Sequence, residues 1–260
     1  MGSIRTEPID KWVRGYVGAT AVVDTRRPLL FWEETFPVPG YAFAVRDVRM
    51  DLLHPASGEP ASGQFFFRPK GPVSQWFDLH VGDRLIPHAA WIRDDSALDG
   101  MVVMSWQPGL LDRWLEEDEE VRGHPRDPHK RVEAVASSRR VKVELDGVEL
   151  ASTDRPVLLF ETDLPTRYYV PRADVHLEVL TPSETYSLCP YKGETREYWS
   201  AVGPPAVPNV AWSYWAPLPV VQNVAGLVAF YNELVDLTID GVVQERPVSP
   251  FSEAAHRPGS

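Results

Sequence analysis

Short runs in which apolar and polar residues alternate recur along this chain. Residues 140–145 read RVKVEL, Asp146-Gly147 supplies a turn, and residues 148–151 (VELA) resume the alternation, which predicts a β-hairpin. The same period of two runs through residues 47–53 (DVRMDLL) and 174–180 (DVHLEVL), predicting a strand in each. Residues 227–231, followed by 235–240 and Gly241, predict another hairpin. Strands this short, at such intervals, suit an antiparallel sandwich or open barrel. One segment departs from the pattern. Over residues 109–121, Leu110, Leu111, Trp114 and Leu115 share one face at helical spacing, and an acidic run from Glu116 to Glu120 follows. That predicts a single short helix, ended by Gly123 and Pro125.

The alternating segments occur twice. Residues 23–33 (VDTRRPLLFWE) align without a gap on residues 151–161 (ASTDRPVLLFE), pairing Thr25 with Thr153, Arg27 with Arg155 and Glu33 with Glu161. Further on, Tyr41 pairs with Tyr168, Asp47 with Asp174, Lys70-Gly71 with Lys192-Gly193 and Trp76-Phe77 with Tyr198-Trp199. Val81-Gly82 pairs with Val202-Gly203, and PHAAW (87–91) with PNVAW (208–212). Five blocks in one order imply an internal duplication. The expected organisation is a first module over residues 10–122, a linker HPRDPHKR at 123–131, a second module over 132–246 and a flexible tail at 247–260.

Composition narrows the class of partner. A net charge of −11 argues against a nucleic-acid or anionic membrane surface as partner, although a local basic pocket is compatible with it. The single cysteine, Cys189, excludes an intramolecular disulfide and a zinc site built from several thiolates. The N-terminal residues carry no apolar run of the kind found in a signal peptide, and no stretch approaches ~20 apolar residues, so a soluble cytoplasmic protein is expected. Twenty-five prolines predict short elements and many loops.

The second copy carries RPVLLFET, LPTRYYVPRADV, CPYKG (189–193), AWSY (211–214) and VAFYNELVDLTIDG, and the stretch before it carries EEDEEV and HPRDPHKR. In these motifs the chain resembles the double-domain form of the domain-of-unknown-function family number 427, from about Trp12 to Gly241. The first copy has FFRPKG, from Phe66 to Gly71, in place of CPYKG. The resemblance implies a β-tent-like fold, two antiparallel sheets pinned at one edge, similar to the thalidomide-binding domain of cereblon. Relatives of that fold often carry zinc between CxxC knuckles; this sequence has no CxxC, and neither metal nor cofactor is expected. The family also bears a nucleotidyltransferase label, but the sequence has no Gly-rich phosphate loop and no paired-Asp metal motif.

Several residues are candidates for chemistry. Cys189, three positions before Lys192, reads either as a nucleophilic thiolate, with Tyr191 as a donor, or as a structural cysteine at a strand end. Trp199, Trp212, Tyr214 and Trp215, with Tyr168 and Tyr169, read as an aromatic cage for a flat or cationic ligand, or as core packing, and Tyr198 is a further ligand-binding candidate, expected to share a cavity with Cys189, Lys192 and Trp212. In the similar cereblon fold, tryptophans line the ligand pocket. Glu161 reads as an acid or base, or as an ion-pair partner of Arg172 or Arg155. His124, Arg126 and Asp127 read as an anion site with His124 as general base, as part of a His-Asp-His metal set with His129, or as a stiff linker.

These readings combine into an all-β protein of two tandem β-tent-like modules. Its expected function is binding of a small molecule in or beside the second module, with catalysis by Cys189, Lys192, His124 and Glu161 as an extension. The alternative is a non-catalytic interaction or structural module.

Overall fold

The period of two becomes strand in both halves of the computed structural model, which describes residues 3–34, 36–61, 67–202, 206–253 and 257–258. Phe66, which opens the FFRPKG stretch, and Gly203 lie outside the described residues. The chain divides into two units, Met1–Asp127 and Pro128–Ser260. Each holds a seven-stranded and a four-stranded antiparallel sheet. The fold class is therefore all-β. No helix among the described residues is long and apolar enough to cross a membrane.

In the second unit the large sheet runs Val132–Ala136, Val157–Glu161, Arg167–Val170, Val228–Phe230, Val207–Ser213, Glu197–Ala201, Leu180–Ser183. The first unit repeats this order with Ile4–Pro8, Leu29–Glu33, Gly40–Ala44, Met101–Met104, Arg84–Arg93, Val73–Val81 and Leu53–Pro55. The small sheets match as well: Val148–Thr153, Val141–Leu145, Asp236–Ile239, Val242–Val243 against Thr20–Thr25, Val13–Val17, Arg113–Glu116, Glu119–Glu120. Even backbone irregularities recur. His88 and Asn209, paired in the sequence, have φ of 51° and 50°, and the turn residues Glu117 and Asp240 have φ of 51° and 52°.

The expected helix at 109–121 is strand instead. Arg113–Glu116 and Glu119–Glu120 form the first unit's counterpart of the Asp236–Ile239 hairpin. The cause lies in Trp114 and Glu116, which both point inward at strand spacing. Glu116 is buried and accepts from the Tyr41 hydroxyl at 2.9 Å and the Lys11 ammonium at 2.7 Å, so it leaves the acidic run, whose remaining residues 117–120 are exposed as expected. Residues 47–53 and 174–180 also differ from expectation. Each forms two 3-10 turns and enters a strand only at its last residue, Leu53 or Leu180, while isolated bridges join Val48 to Val23 and Val175 to Ala151. The hairpin expected from 227 to 241 is divided: Val228–Phe230 joins the large sheet, and Asp236–Ile239 pairs with Val242–Val243.

Burial is layered. Between the two sheets of the first unit, Val13, Leu30, Tyr41, Phe43 and Leu79 are fully buried, and Trp106 stacks on Trp114 at 4.4 Å. Each large apolar side chain so buried contributes about 1.5–3 kcal/mol. In the second unit, Val141, Val143, Val170, Trp199 and Phe230 form the corresponding core. A further cluster lies on the other face of the large sheet, with Leu159, Tyr169, Tyr198, Trp212, Tyr214 and Tyr231. The segment 247–260, expected to be flexible, contributes to it. Ser249 caps the turn Pro250–Ser252, Phe251 lies 5.7 Å from Tyr231, Arg257 donates to the Phe251 carbonyl at 2.8 Å, and Asn209 donates to the Pro258 carbonyl at 2.9 Å. Phe251 is the one large aromatic in that polar stretch.

Candidate functional site

Alternation along the strands decides which aromatics meet. Tyr198 and Trp199 are neighbours on one strand and so face opposite sides of the sheet. Tyr198 joins Tyr169, Trp212, Tyr214 and Tyr231, whereas Trp199 and Tyr168 pack on the side of the small sheet. A cage of all six expected aromatics therefore does not form. Trp215 stands 71% exposed, with the Arg172 guanidinium 5.7 Å from its ring and 5.1 Å from that of Trp199.

Over the tyrosine face lies the hairpin Ser187–Cys189/Gly193–Thr195, with Pro190, Tyr191 and Lys192 at its tip. The Leu218 N–H donates to the Lys192 carbonyl at 3.0 Å, and Gly193 takes φ of 102°, which favours glycine. This turn sends the Lys192 side chain inward, where it retains 15% exposure and pairs with Glu161 at the end of Val157–Glu161. Cys189, a free half-buried thiol, and Tyr169 are close enough for their charges to act on the ammonium. Burial works to lower the Lys192 pKa, but Cys189, Glu161 and Tyr169 outweigh it and hold it above the ordinary lysine value. Lys192 is thus a cation at neutral pH.

Around it the hydroxyls are held neutral. Burial pushes Tyr169 up to about 12 and raises Tyr198, Tyr214 and Tyr231 above the ordinary tyrosine value. Tyr169 accepts from the Trp212 indole at 3.2 Å, and Tyr198 shares a hydrogen bond with Ser187. Arg167, which the motif reading passed over, is buried beside this cluster. It makes two hydrogen bonds to Glu233 at 2.6 and 2.8 Å and lies 5.4 Å from the Tyr231 ring. The inward arginine in an otherwise aromatic strand, Arg167-Tyr-Tyr-Val, was the available signal for it.

The first unit holds a related pair built from other parts. Glu33, the partner of Glu161 in the repeat, is bound by Arg93 at 3.0 Å, and Arg93 occupies the position of Tyr214. Lys70, the counterpart of Lys192, gives Glu33 only its backbone N–H at 3.1 Å, while its ammonium lies 4.7 Å from the Phe36 ring. The same carboxylate thus receives its cation from a hairpin in one copy and from a sheet strand in the other. Such paired copies are also what comparison with known proteins finds. Residues 5–102 and 133–241 match the family described as Domain of unknown function (DUF427). The chain belongs to the DUF427 family. No curated protein matches it.

In this DUF427 tandem the remaining expected site residues fall elsewhere. Arg172 pairs with Glu197 at 2.6 Å and Arg155 with Asp174 at 3.3 Å, so neither is the partner of Glu161. Tyr191 is half-buried on the Lys192 turn. The stretch HPRDPHKR is shared between the units. His124 places Nδ1 2.8 Å from the Pro125 carbonyl, Arg126 pairs with Glu119 at 3.4 Å, and Asp127 accepts from the Trp32 indole at 2.7 Å, all in the first unit. Lys130 donates to the Thr162 carbonyl at 3.0 Å in the second. No group of three His, Cys, Asp or Glu side chains able to hold a metal occurs among the described residues, so His124, Asp127 and His129 do not form the metal set considered from sequence.

Proposed function

We propose that the second DUF427 module binds a small molecule bearing a hydrogen-bond acceptor, such as a carbonyl or carboxylate oxygen, at Lys192. One observation carries this reading. Lys192 is charged and its side chain only 15% exposed, yet its only side-chain hydrogen bond among the described residues goes to Glu161. An ammonium has three donors, and leaving buried donors unmet is costly. An acceptor oxygen would take up that capacity, with the neutral hydroxyls of Tyr198 and Tyr214 beside it. Were a reaction to follow, Lys192 would stabilise negative charge developing on that oxygen, and Cys189 would be the nearby nucleophile. His124 has no part in this reading.

A second reading, a non-catalytic interaction or structural module, is favoured by the burial of Tyr198, Trp212 and Tyr214 at 3%, 7% and 4% exposure. The two readings separate on one experiment. The purified full chain is denatured gently and the released small molecules are identified by mass spectrometry. The same is done for the double variant Lys192→Met/Glu161→Gln, which removes both charges together and so avoids stranding one of them. A molecule present at near-equimolar amount from the native chain and lost from the variant is the expected result. Equal recovery from both, or none from either, would remove the Lys192 site.

A further inference from the structure

The first unit contains a cavity of about 30 Å³, lined among others by Phe31, Glu33, Phe67, Arg68, Trp91 and Trp106. A single water needs roughly 10–15 Å³ of such space, so this cavity exceeds one water. It exists because of Gly40, which also lines it. A Cβ on Gly40 would stand 2.6 Å from the Phe31 ring, so a side chain there would have to displace that ring. The corresponding position in the second unit, opposite Leu159 as Gly40 is opposite Phe31, is Arg167. There the guanidinium packs against Trp212, Tyr231 and Phe251 and is paired with Glu233.

The walls of the first unit's cavity carry unmet donors. The indole N–H groups of Trp91 and Trp106 are both buried without an acceptor among the described residues. These residues are 5% and 6% exposed, so solvent does not satisfy them. Next to Glu33, the buried Arg93 leaves its Nε and Nη1 equally without an acceptor among the described residues. Native proteins rarely strand such donors, and several around one space call for an acceptor within it. The charge agrees. Arg68 lines the cavity, the Lys70 ammonium lies over Phe36 in its wall, and Arg93 neutralises Glu33. Against these three cations stand Glu33 and, near enough to act on it, Asp95. In a protein of net charge −11, that local excess is a selective feature.

We propose that the first module is a second binding site, for an organic monocarboxylate whose carboxylate enters this cavity and meets the Trp91 and Trp106 indoles and Arg68. The aromatic walls take the apolar part of the acid. The site is independent of Lys192 and stands or falls without it.

Sodium acetate is the probe, titrated into the uniformly ¹⁵N-labelled full chain at constant ionic strength while the indole N–H resonances are followed. Trp91→Phe and Trp106→Phe assign the two signals. Both are expected to shift saturably, with Kd on the order of 1 mM, while the other indoles stay in place. Arg68→Met is expected to weaken binding roughly tenfold, the size of a lost charge-assisted hydrogen bond. Guanidinium chloride is the opposing arm. If it shifts the same indoles and acetate does not, the cavity is a cation site like that filled by Arg167, and the proposal is wrong. Silence in both titrations means the donors are met by ordered water alone, which equally overturns it. Lys192→Met/Glu161→Gln is expected to leave the acetate response unchanged.

Discussion

Four tyrosines in the second module are kept from ionising, each chiefly by burial. Below pH ~10 a tyrosine is neutral whether the chain is folded or not. Above it, the unfolded side chain releases its proton, while the folded Tyr169 holds its own up to about 12. Unfolding then releases protons, so stability falls as pH rises. Lys192 acts in the same direction, since its folded pKa is raised and its contribution fades above the ordinary lysine value of 10.5. For Tyr169 alone, two pKa units correspond to roughly 2–3 kcal/mol by pH 12. Tyrosinate absorbance followed together with circular dichroism should show some of the nine tyrosines ionising near 10 and the buried set only as the fold is lost. Titration of all nine near 10 with an intact fold would refute this. Arg167 and Glu233 matter at the same scale. Removing one of that buried pair leaves the other's charge stranded, a loss typically of 3–5 kcal/mol.

Among the elements, the hairpin that delivers Lys192 is the most exacting. A lone two-stranded hairpin is marginal by itself. This one is held by the Lys192–Glu161 pair, by the Leu218-to-Lys192 backbone bond, and by Gly193 at φ 102°. Gly193→Ala should cost about 1–3 kcal/mol and shift the Lys192 backbone. Chemical denaturation should show the loss, and hydrogen exchange should be faster at residues 187–195 than in the sheet beneath. Unchanged exchange there would mean the turn tolerates a side chain. The duplication made most of the architecture legible, because aligned blocks fix strand order even where single segments mislead. Residues 109–121 show how. Leu110, Leu111, Trp114 and Leu115 fit a helix, but their repeat counterpart, the Asp236–Ile239 hairpin, was recognisable as strand. The site was less legible. Glu161 and Lys192 stood out as shared by both copies, yet their contact spans 31 residues, and Arg167 finds Glu233 across 66. No local pattern encodes such a pairing, and charge rules pointed instead to Arg172 and Arg155, which have nearer carboxylates.

At the scale of the whole chain, each copy carries its own sheets and its own core, and HPRDPHKR bonds to both sides of a division at Asp127 and Pro128. Residues 128–260 expressed alone should therefore give a dispersed amide spectrum and a cooperative thermal transition. A collapsed spectrum without a transition would show that the copies depend on each other to fold. Identical topology in tandem also carries a hazard, since a strand of one copy matches the hydrogen-bonding register of the other. Exchange of strands between neighbouring repeats is a recognised misfolding route. The divergence at the sheet centre works against it. The first copy pairs Ala42 with Val103, and the second pairs Tyr169 with Ala229. A trespassing Tyr169 would have to enter a space shaped for the methyl group of Ala42, and the trespassing Ala42 would leave a void the size of a phenol. The unlike side chains thus serve as a proofreading code, by which each half rejects the other's strands as it folds.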